Sequence, residues 1–334
     1  MQNNLKYAKY AVVFAGQGAQ KPGMGKDLYE AGKAARAVFD KAGEEIKDDC
    51  FFADPERLKQ TEVTQPAVYT VGMAAFAALM EALGTEKGLF PEPTAVAGFS
   101  LGEYAAFTAA GVIGSLEEGL SLVRKRSLLM KEAGTNPDGS QKGTMAAGMG
   151  EKNAVLALVE KARGGDILEA VNFNSPQQTV VAGDIIAVDR FVSYAKEDRS
   201  LGVKAIPLSV SGAFHSPIMR PAAEGFAKAL DGYSFKPPKY KVYLNATGEI
   251  FENLDPGSEA DKIAKAAMVR QIQSPVLWQK TIEEMKNAGI SMIIEAGPGK
   301  TLSGLVKKIA PEITALNVED VESLNNTVSL IKEV

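Results

Sequence analysis

The sequence predicts an α/β protein in which a parallel-sheet domain is interrupted by a small antiparallel module. Three observations carry that prediction. Short apolar runs that empty into glycine turns alternate with helical patterns in both the first and the last third of the chain. Between Gly143 and Val210 the order changes to strand, helix, two strands, helix, strand. The stretch Thr94 to Gly111, TAVAGFSLGEYAAFTAAG, reads as a buried strand, a tight turn and an Ala-rich helix.

Size and composition fit that architecture. With 334 residues, 46% of them hydrophobic, the chain can build one large core with an insertion, or two domains. Lys and Arg number 37 against 41 Asp and Glu, so the net charge of -4 argues against a dedicated nucleic-acid surface. A single cysteine, Cys50, rules out an internal disulfide, and together with one histidine it cannot supply a Cys/His zinc site, so a reducing cytoplasm is expected. The opening MQNNLKYAKY lacks the apolar core of a signal peptide, and the apolar run around Val71 to Met80 meets Glu81 well short of a membrane span. No membrane association is expected, and the Asn-x-Thr strings at Asn245 and Asn325 read as chance sequons.

Taken in order, Tyr10 to Ala15 is a buried strand that ends in Gly16-Gln17-Gly18-Ala19-Gln20, with a helix from about Met24. The Gly-x-Gly does not complete a dinucleotide fingerprint, because Lys21 stands where its third small residue belongs. A glycine loop at a strand end can instead offer a backbone N–H to a ligand, here at Gln17. Cys50 to Val63 is polar, and Thr64-Gln65-Pro66 opens a helix apolar on more than one face, with the proline near its first turn. Leu116 to Ala133 is helical and carries Arg124, Lys125 and Arg126, by default a solvated charge cluster. Gly134 to Lys142 is a linker. The module comprises strand Gly143 to Gly150, helix Glu151 to Arg163, strands Ile167 to Phe173 and Gln178 to Ala182, helix Val188 to Asp198 and strand Val203 to Val210. That βαββαβ order is the ferredoxin-like arrangement, complete in about 70 residues. Beyond it, Lys241 to Thr247, Ser291 to Ala296 and Ile313 to Val318 read as further strands, with a helix from about Gln279 to Ala288 and another at the C-terminus. Gly297 to Thr301 resembles a phosphate loop, but Ile294 occupies the position of its first glycine, which leaves a strand-to-helix turn. The domain boundaries are set at 1–138 with 208–334 for the large domain and 139–207 for the module.

The chemistry is carried by Gly98-Phe99-Ser100-Leu101-Gly102. A Gly-x-Ser-x-Gly between strand and helix makes a nucleophile elbow, where glycines allow the sharp bend and the serine Oγ stands over the N–H groups of a helix start. The only imidazole that could serve it belongs to His215, in the small-residue loop Ser211 to Pro217 at the exit of the module. This pairing implies acyl transfer or hydrolysis through a serine ester. The acids available to orient the imidazole, Asp184, Asp189 and Glu295, stand in no persuasive context, and a backbone carbonyl can do that work. The N–H of Leu101, with a second from the Gln17 loop, would stabilise an oxyanion, and an arginine on the next helix would hold a substrate carboxylate better than a lysine.

From Gly16-Gln17-Gly18-Ala19-Gln20 through Thr64-Gln65-Pro66, the elbow with Glu103-Tyr104, Arg126, Val171 to Pro176, Gly212 to Pro217, Asn245 to Gly248, Gln271 to Trp278 and Glu295 to Gly299, the chain resembles the malonyl-CoA:acyl carrier protein transacylases and related acyltransferase domains of fatty-acid and polyketide synthesis. The resemblance implies a hydrolase-like α/β domain with a ferredoxin-like insertion. It implies Ser100 as acylated nucleophile, His215 as base, Arg126 as partner of the malonyl carboxylate, the amides of Gln17 and Leu101 as oxyanion hole, and the main-chain carbonyl near Gln271 as the group that orients the imidazole. Gln65, Asn172 and Phe214 are the further substrate-binding residues, Phe214 being the kind of residue that accompanies malonyl over methylmalonyl. No cofactor and no metal are expected, since malonyl-CoA is a substrate. The expected partners are malonyl-CoA and an acidic acyl carrier protein, with Lys307 and Lys308 or Lys236 to Lys241 as candidate docking cations, and a monomer is expected. The family's elbow usually reads Gly-His-Ser, so Phe99 is a departure; chemistry should survive it. The competing readings are a serine thioesterase or hydrolase of the same fold, a polyketide acyltransferase using another acyl group, and an inactive carrier-binding module.

Overall fold

Nine strands form two sheets in a computed structural model that describes residues 9–253 and 258–332. Most of the N-terminal segment read above for a leader, residues 1–8, lies outside the described residues. The strands are β1 (Tyr10–Phe14), β2 (Ala95–Gly98), β3 (Gly143–Met149), β4 (Leu168–Ser175), β5 (Gln178–Asp184), β6 (Lys204–Pro207), β7 (Lys241–Val242), β8 (Met292–Ala296) and β9 (Thr314–Val318). The first sheet runs β7-β2-β1-β8-β9, with every neighbouring pair parallel. Helices cover both of its faces: Val12, Phe14 and Ile294 enter the main core, while Ala11, Val13 and Ile293 pack with Trp278, Ile282 and Val306 on the other side. Burial on both faces explains why these strands read as continuous apolar runs without alternation.

The second sheet runs β4-β5-β3-β6 and is antiparallel throughout, the order of a ferredoxin-like module. One face carries its own helices, Lys152–Arg163 and Ile185–Glu197, around Val155, Val181 and Phe191. The opposite face adds Met145, Ala147, Val171, Val180 and Ala182 to the main core. The module is therefore laid against the large domain, and Asn172 bridges to Val276 across the seam.

Several expected elements differ in detail. The helix expected from Met24 is three helices, Lys26–Ala31, Lys33–Ala42 and Glu44–Phe51, separated at Gly32 and Gly43. The long helix begins at Thr61, not Thr64, because Val63 and Thr64 both donate to the Gln60 carbonyl. Pro66 consequently sits inside it, where its ring nitrogen cannot donate to the Glu62 carbonyl. Packing compensates, since the helix is buried nearly all round. One expectation is corrected: the apolar run does not fall short of a membrane span, since residues 61–87 are long and apolar enough to cross one, but 72% of the apolar window lies inside the protein. The strand expected over Lys241 to Thr247 closes after Val242 and passes into a turn in which Gly248 N donates to Leu244 O. Likewise β6 stops at Pro207, three residues before Val210, and releases Leu208 to Val210 into the cleft between the domains.

Candidate active site

The carboxyl ends of β1 and β2 meet at the elbow, at the place where the sheet order turns from one side of β1 to the other. A Cβ on Gly98 would lie 1.9 Å from the Gly102 carbonyl carbon, and one on Gly102 would lie 2.2 Å from the Phe14 carbonyl oxygen. Only glycine lets strand, turn and helix Gly102–Ala109 cross this closely. Between them Ser100 takes φ 50°, in the left-handed region. Its N–H donates to Asn245 Oδ1 at 2.6 Å, and its carbonyl accepts from Gln271 Nε2 and, at 3.1 Å, from Glu103 N.

His215 also has a positive φ, 64°, and its ring is buried between the two domains. Nδ1 lies 2.9 Å from the Gln271 carbonyl, which can only accept, so the proton is on Nδ1 and Nε2 is free to accept. Ser100 Oγ lies 2.7 Å from that Nε2. Burial, and then the nearby Arg126 charge, push the imidazole down to about 4, partly opposed by hydrogen bonds to the carbonyls of Gln271 and Ser274. At neutral pH the ring is thus an unprotonated acceptor beside a serine hydroxyl.

Arg126 is not part of a solvated cluster. It is 1% exposed, with Nη1 on Gln65 Oε1 at 2.7 Å and Nη2 shared between Ser100 Oγ and Gln271 Oε1, each at 3.1 Å. Its guanidinium also lies over the Tyr104 ring, 5.4 Å from the centroid, and no carboxylate pairs with it among the described residues. Burial lowers its pKa, against the opposing influence of Tyr104 and Glu103. A buried guanidinium held only by neutral groups is a site for an anion.

These groups open on one cleft, of about 720 Å³ including its open mouth, bordered by Gln17, Leu101, Asn172 and Phe214 as well as by Ser100, Arg126 and His215. No hydrogen bond from the Gln17 or Leu101 N–H to another described residue is made. Asn172 Oδ1 is buried without a partner. All nine site residues named from sequence therefore gather within one wall system: eight line the cleft, and Gln271 stands behind Ser100, His215 and Arg126. The candidate acids do not join them. Glu295 caps the helix Thr301–Ile309 by accepting from Leu302 N and Ser303 N, Asp184 accepts from Ile167 N within the module, and Asp189 is exposed on a module helix. Of the candidate docking lysines, none of Lys236 to Lys241, Lys307 or Lys308 borders the cleft, whereas Lys59 does.

Two residues escaped the sequence reading. Glu103 is fully buried and accepts from Asn245 N at 2.6 Å, and Asn245 in turn reaches Ser100. A carboxylate in the first turn of a helix with no polar face was the available signal for Glu103; for Asn245, dismissed as a sequon, there was only its place in the motif Asn-Ala-Thr-Gly.

Over nearly its whole length the chain is similar to known acyltransferases. The family model described as "Acyl transferase domain" matches residues 11–330. The malonyl CoA-acyl carrier protein transacylase of Bacillus subtilis (strain 168) is 36% identical over 332 residues, 98% of either chain. That of Haemophilus influenzae is 36% identical over 324 residues, 95% of this chain and 97% of its own. Among solved structures, the transacylase from Clostridium perfringens superposes with a TM-score of 0.86 at 36% identity, covering 98% of both chains. A malonyl-transacylase solved in complex with a type II PKS acyl-carrier protein superposes with a TM-score of 0.85 at 32% identity, over 97% of this chain and 100% of its own. With an elbow serine, a lone imidazole and a buried guanidinium on the same α/β frame, the chain belongs to the acyltransferase family, among its malonyl-CoA:acyl carrier protein transacylases.

Proposed function

We propose that this chain moves the malonyl group of malonyl-CoA to the phosphopantetheine thiol of acyl carrier protein, by way of a malonyl ester on Ser100, in the cytoplasm and without a cofactor. The observation that carries the reading is a single juxtaposition: Ser100 Oγ is 2.7 Å from the accepting nitrogen of His215 and 3.1 Å from Arg126 Nη2. The first contact supplies a nucleophile with its base, and the second fixes which acyl group is wanted.

In the forward half-reaction His215 Nε2 takes the Ser100 proton while Oγ bonds to the thioester carbonyl carbon. The negative charge that develops on the carbonyl oxygen is met by the N–H groups of Gln17 and Leu101. Collapse breaks the C–S bond, and the departing CoA sulfur takes the proton from His215. The carrier thiol then repeats these steps in reverse order of roles: it gives its proton to His215, attacks the ester carbonyl, and Ser100 Oγ leaves and recovers the proton. Throughout, the Gln271 carbonyl steadies the imidazolium, as the carboxylate of a triad would. Arg126 exchanges its contact with Ser100 Oγ for the far carboxylate of the malonyl group, with Gln65 and Gln271 keeping the guanidinium planar to it. Phe214 and Asn172 flank the acyl chain, and segment 139–207 closes the cleft as a subdomain.

The experiment is intact-mass analysis of the protein after incubation with malonyl-CoA, with and without holo carrier protein. A malonyl adduct that maps to Ser100, is absent from Ser100→Ala, and passes to the carrier thiol faster than to water is expected. No adduct would refute the nucleophile, and dominant release to water would make the protein a thioesterase.

A further inference from the structure

The elbow is held by more than its glycines. Asn245, in the turn that follows β7, donates from Nδ2 to Gly98 O at 2.6 Å and accepts at Oδ1 from Ser100 N at 2.6 Å. One carboxamide thus joins the last carbonyl of β2 to the amide of the nucleophile, spanning the bend as a ladder partner would. Both contacts are short for N–H···O bonds, and both are buried or partly buried. Asn245 is itself fixed from both sides: its N–H donates to Glu103 Oε2 at 2.6 Å and its carbonyl accepts from Leu277 N at 2.8 Å. Glu103 lies on the first turn of the elbow helix, so the brace returns to the element it holds.

The positive φ of Ser100 is what needs this brace. A non-glycine residue in the left-handed region is strained by roughly 1 to 3 kcal/mol and stays there only where its surroundings over-determine it. With the Ser100 N–H engaged by Asn245, the next amide of the elbow, Leu101 N–H, is left unengaged at the cleft. We propose that Asn245 is a positioning residue for the nucleophile, clamping the elbow so that Ser100 Oγ faces His215 and the Leu101 amide faces the reacting carbonyl, with Glu103 aligning the clamp. The assignment rests on Ser100 being the nucleophile. Asn245 does not border the cleft and touches no substrate-facing atom, so it acts through Ser100 alone.

Full-length Asn245→Ala and Asn245→Asp test the clamp. Alanine removes both contacts; aspartate keeps the volume and the acceptor for Ser100 N–H but sets an oxygen against the Gly98 carbonyl. Each is measured for kcat and KM with malonyl-CoA and for the rate at which a small neutral fluorophosphonate labels Ser100, a probe that makes no use of Arg126. Displacement of a nucleophile by about 1 Å costs roughly 100-fold in rate, so kcat and labelling rate per folded molecule should fall together by about that factor in Asn245→Ala, and by at least about 10-fold in Asn245→Asp, with KM within about 3-fold of the unmodified protein. If either variant folds and labels at the unmodified rate, the clamp is refuted while Ser100 stands. If the unmodified protein is not labelled at Ser100, the nucleophile reading is what has failed. A rise in KM with unchanged labelling would place Asn245 in substrate binding and would also overturn the proposal.

Discussion

Among the described residues two turns hold a non-glycine residue at positive φ, Ser100 and His215, and they do so by different means. Around Ser100 the constraint begins locally: Gly98 and Gly102 permit a crossing that any Cβ would block, and Phe99 N and Gly102 N close the bend through Phe14 O and Phe99 O. Around His215 it comes from far along the chain, through the carbonyls of Gln271 and Ser274, together with a Ser216 Oγ bond to Ala213 O and Pro217 at the start of the following turn. The difference shows how a site can be assembled from segments far apart in one chain. The elbow is bent by its own glycines and braced by Phe14 and Asn245, while the imidazole is aimed by a helix end that also grips Arg126 and the Ser100 carbonyl through the Gln271 side chain.

If the two turns serve a single proton transfer, removing either end should cost as much as removing both. Ser100→Ala, His215→Ala and the double variant are each expected to lose roughly 1000-fold or more in kcat/KM for malonyl transfer, without further loss in the double variant. Multiplicative losses in carrier-transfer kinetics would show that the turns act separately.

The same contrast explains what could be read from sequence. Gly-x-Ser-x-Gly between a strand and a helix marks its own bend: Gly98 is required by the backbone of Gly102 and Glu103 close by, and Gly102 by the end of the neighbouring strand at Phe14 and Ala15. The parallel sheet followed from buried runs at glycine turns, though not its strand order, and the module followed from its βαββαβ order. His215 was identified as the chain's one imidazole, in a small-residue loop whose motif Gly212 to Pro217 carries the family resemblance, but nothing in that loop marks its orienting carbonyl, which belongs to a residue 56 positions on. Arg126 carries no local mark of burial: Arg124 on the same helix is exposed and pairs with Glu45, and only packing against Tyr104 and Gln65 separates the two. The helix starts misplaced at Thr64 and Met24 depended on which backbone N–H groups found acceptors, and propensity does not record that.

Arg126 belongs to neither turn, yet it bonds Ser100 Oγ directly and reaches His215 through its charge, and its removal should divide substrates. Arg126→Ala is expected to lower kcat/KM for malonyl-CoA by roughly 100-fold and to change that for acetyl-CoA by less than about 5-fold, because only malonyl offers a carboxylate. The variant also shifts the acid limb of the pH profile. Burial acts first and the Arg126 charge second in holding His215 at about 4, so losing the charge lets the imidazole take a proton at higher pH. A pH–rate profile whose acid limb stayed in place would show that Arg126 exerts no field on His215.

The elbow and the histidine turn should also respond oppositely to pH in stability. His215, lowered in the fold from 6.5 to about 4, leaves the unfolded chain holding more protons between those values, so its contribution is lost as pH falls from about 6.5 to about 4. Glu103 is raised by burial from 4.5 to about 8, against the Asn245 N–H and Arg126, so the folded chain holds the extra proton and stability is lost as pH rises from 4.5 to about 8. Above pH 6.5 only the second slope remains. Glu103→Gln keeps an acceptor for Asn245 N–H and should flatten the decline between pH 6.5 and 8, as read from urea midpoints; an unchanged decline would mean that Glu103 is ionised in the fold.

The smallest effect is expected at Phe99, the elbow position where the family resemblance implied a histidine. Phe99 lies between the two turns' chemistry and the far face of the sheet, its ring edge-on to Trp278 with centroids 5.5 Å apart. Its N–H and carbonyl, not its side chain, close the elbow, through Phe14 O and Gly102 N. Phe99→His should therefore leave the bend and the Ser100 to His215 contact intact, with kcat/KM within about 3-fold, while the lost aromatic pair costs about 1 kcal/mol in urea denaturation. A large fall in kcat with unchanged stability would give the side chain at this position a part in aligning the nucleophile, and would make the elbow less self-contained than its backbone bonds imply.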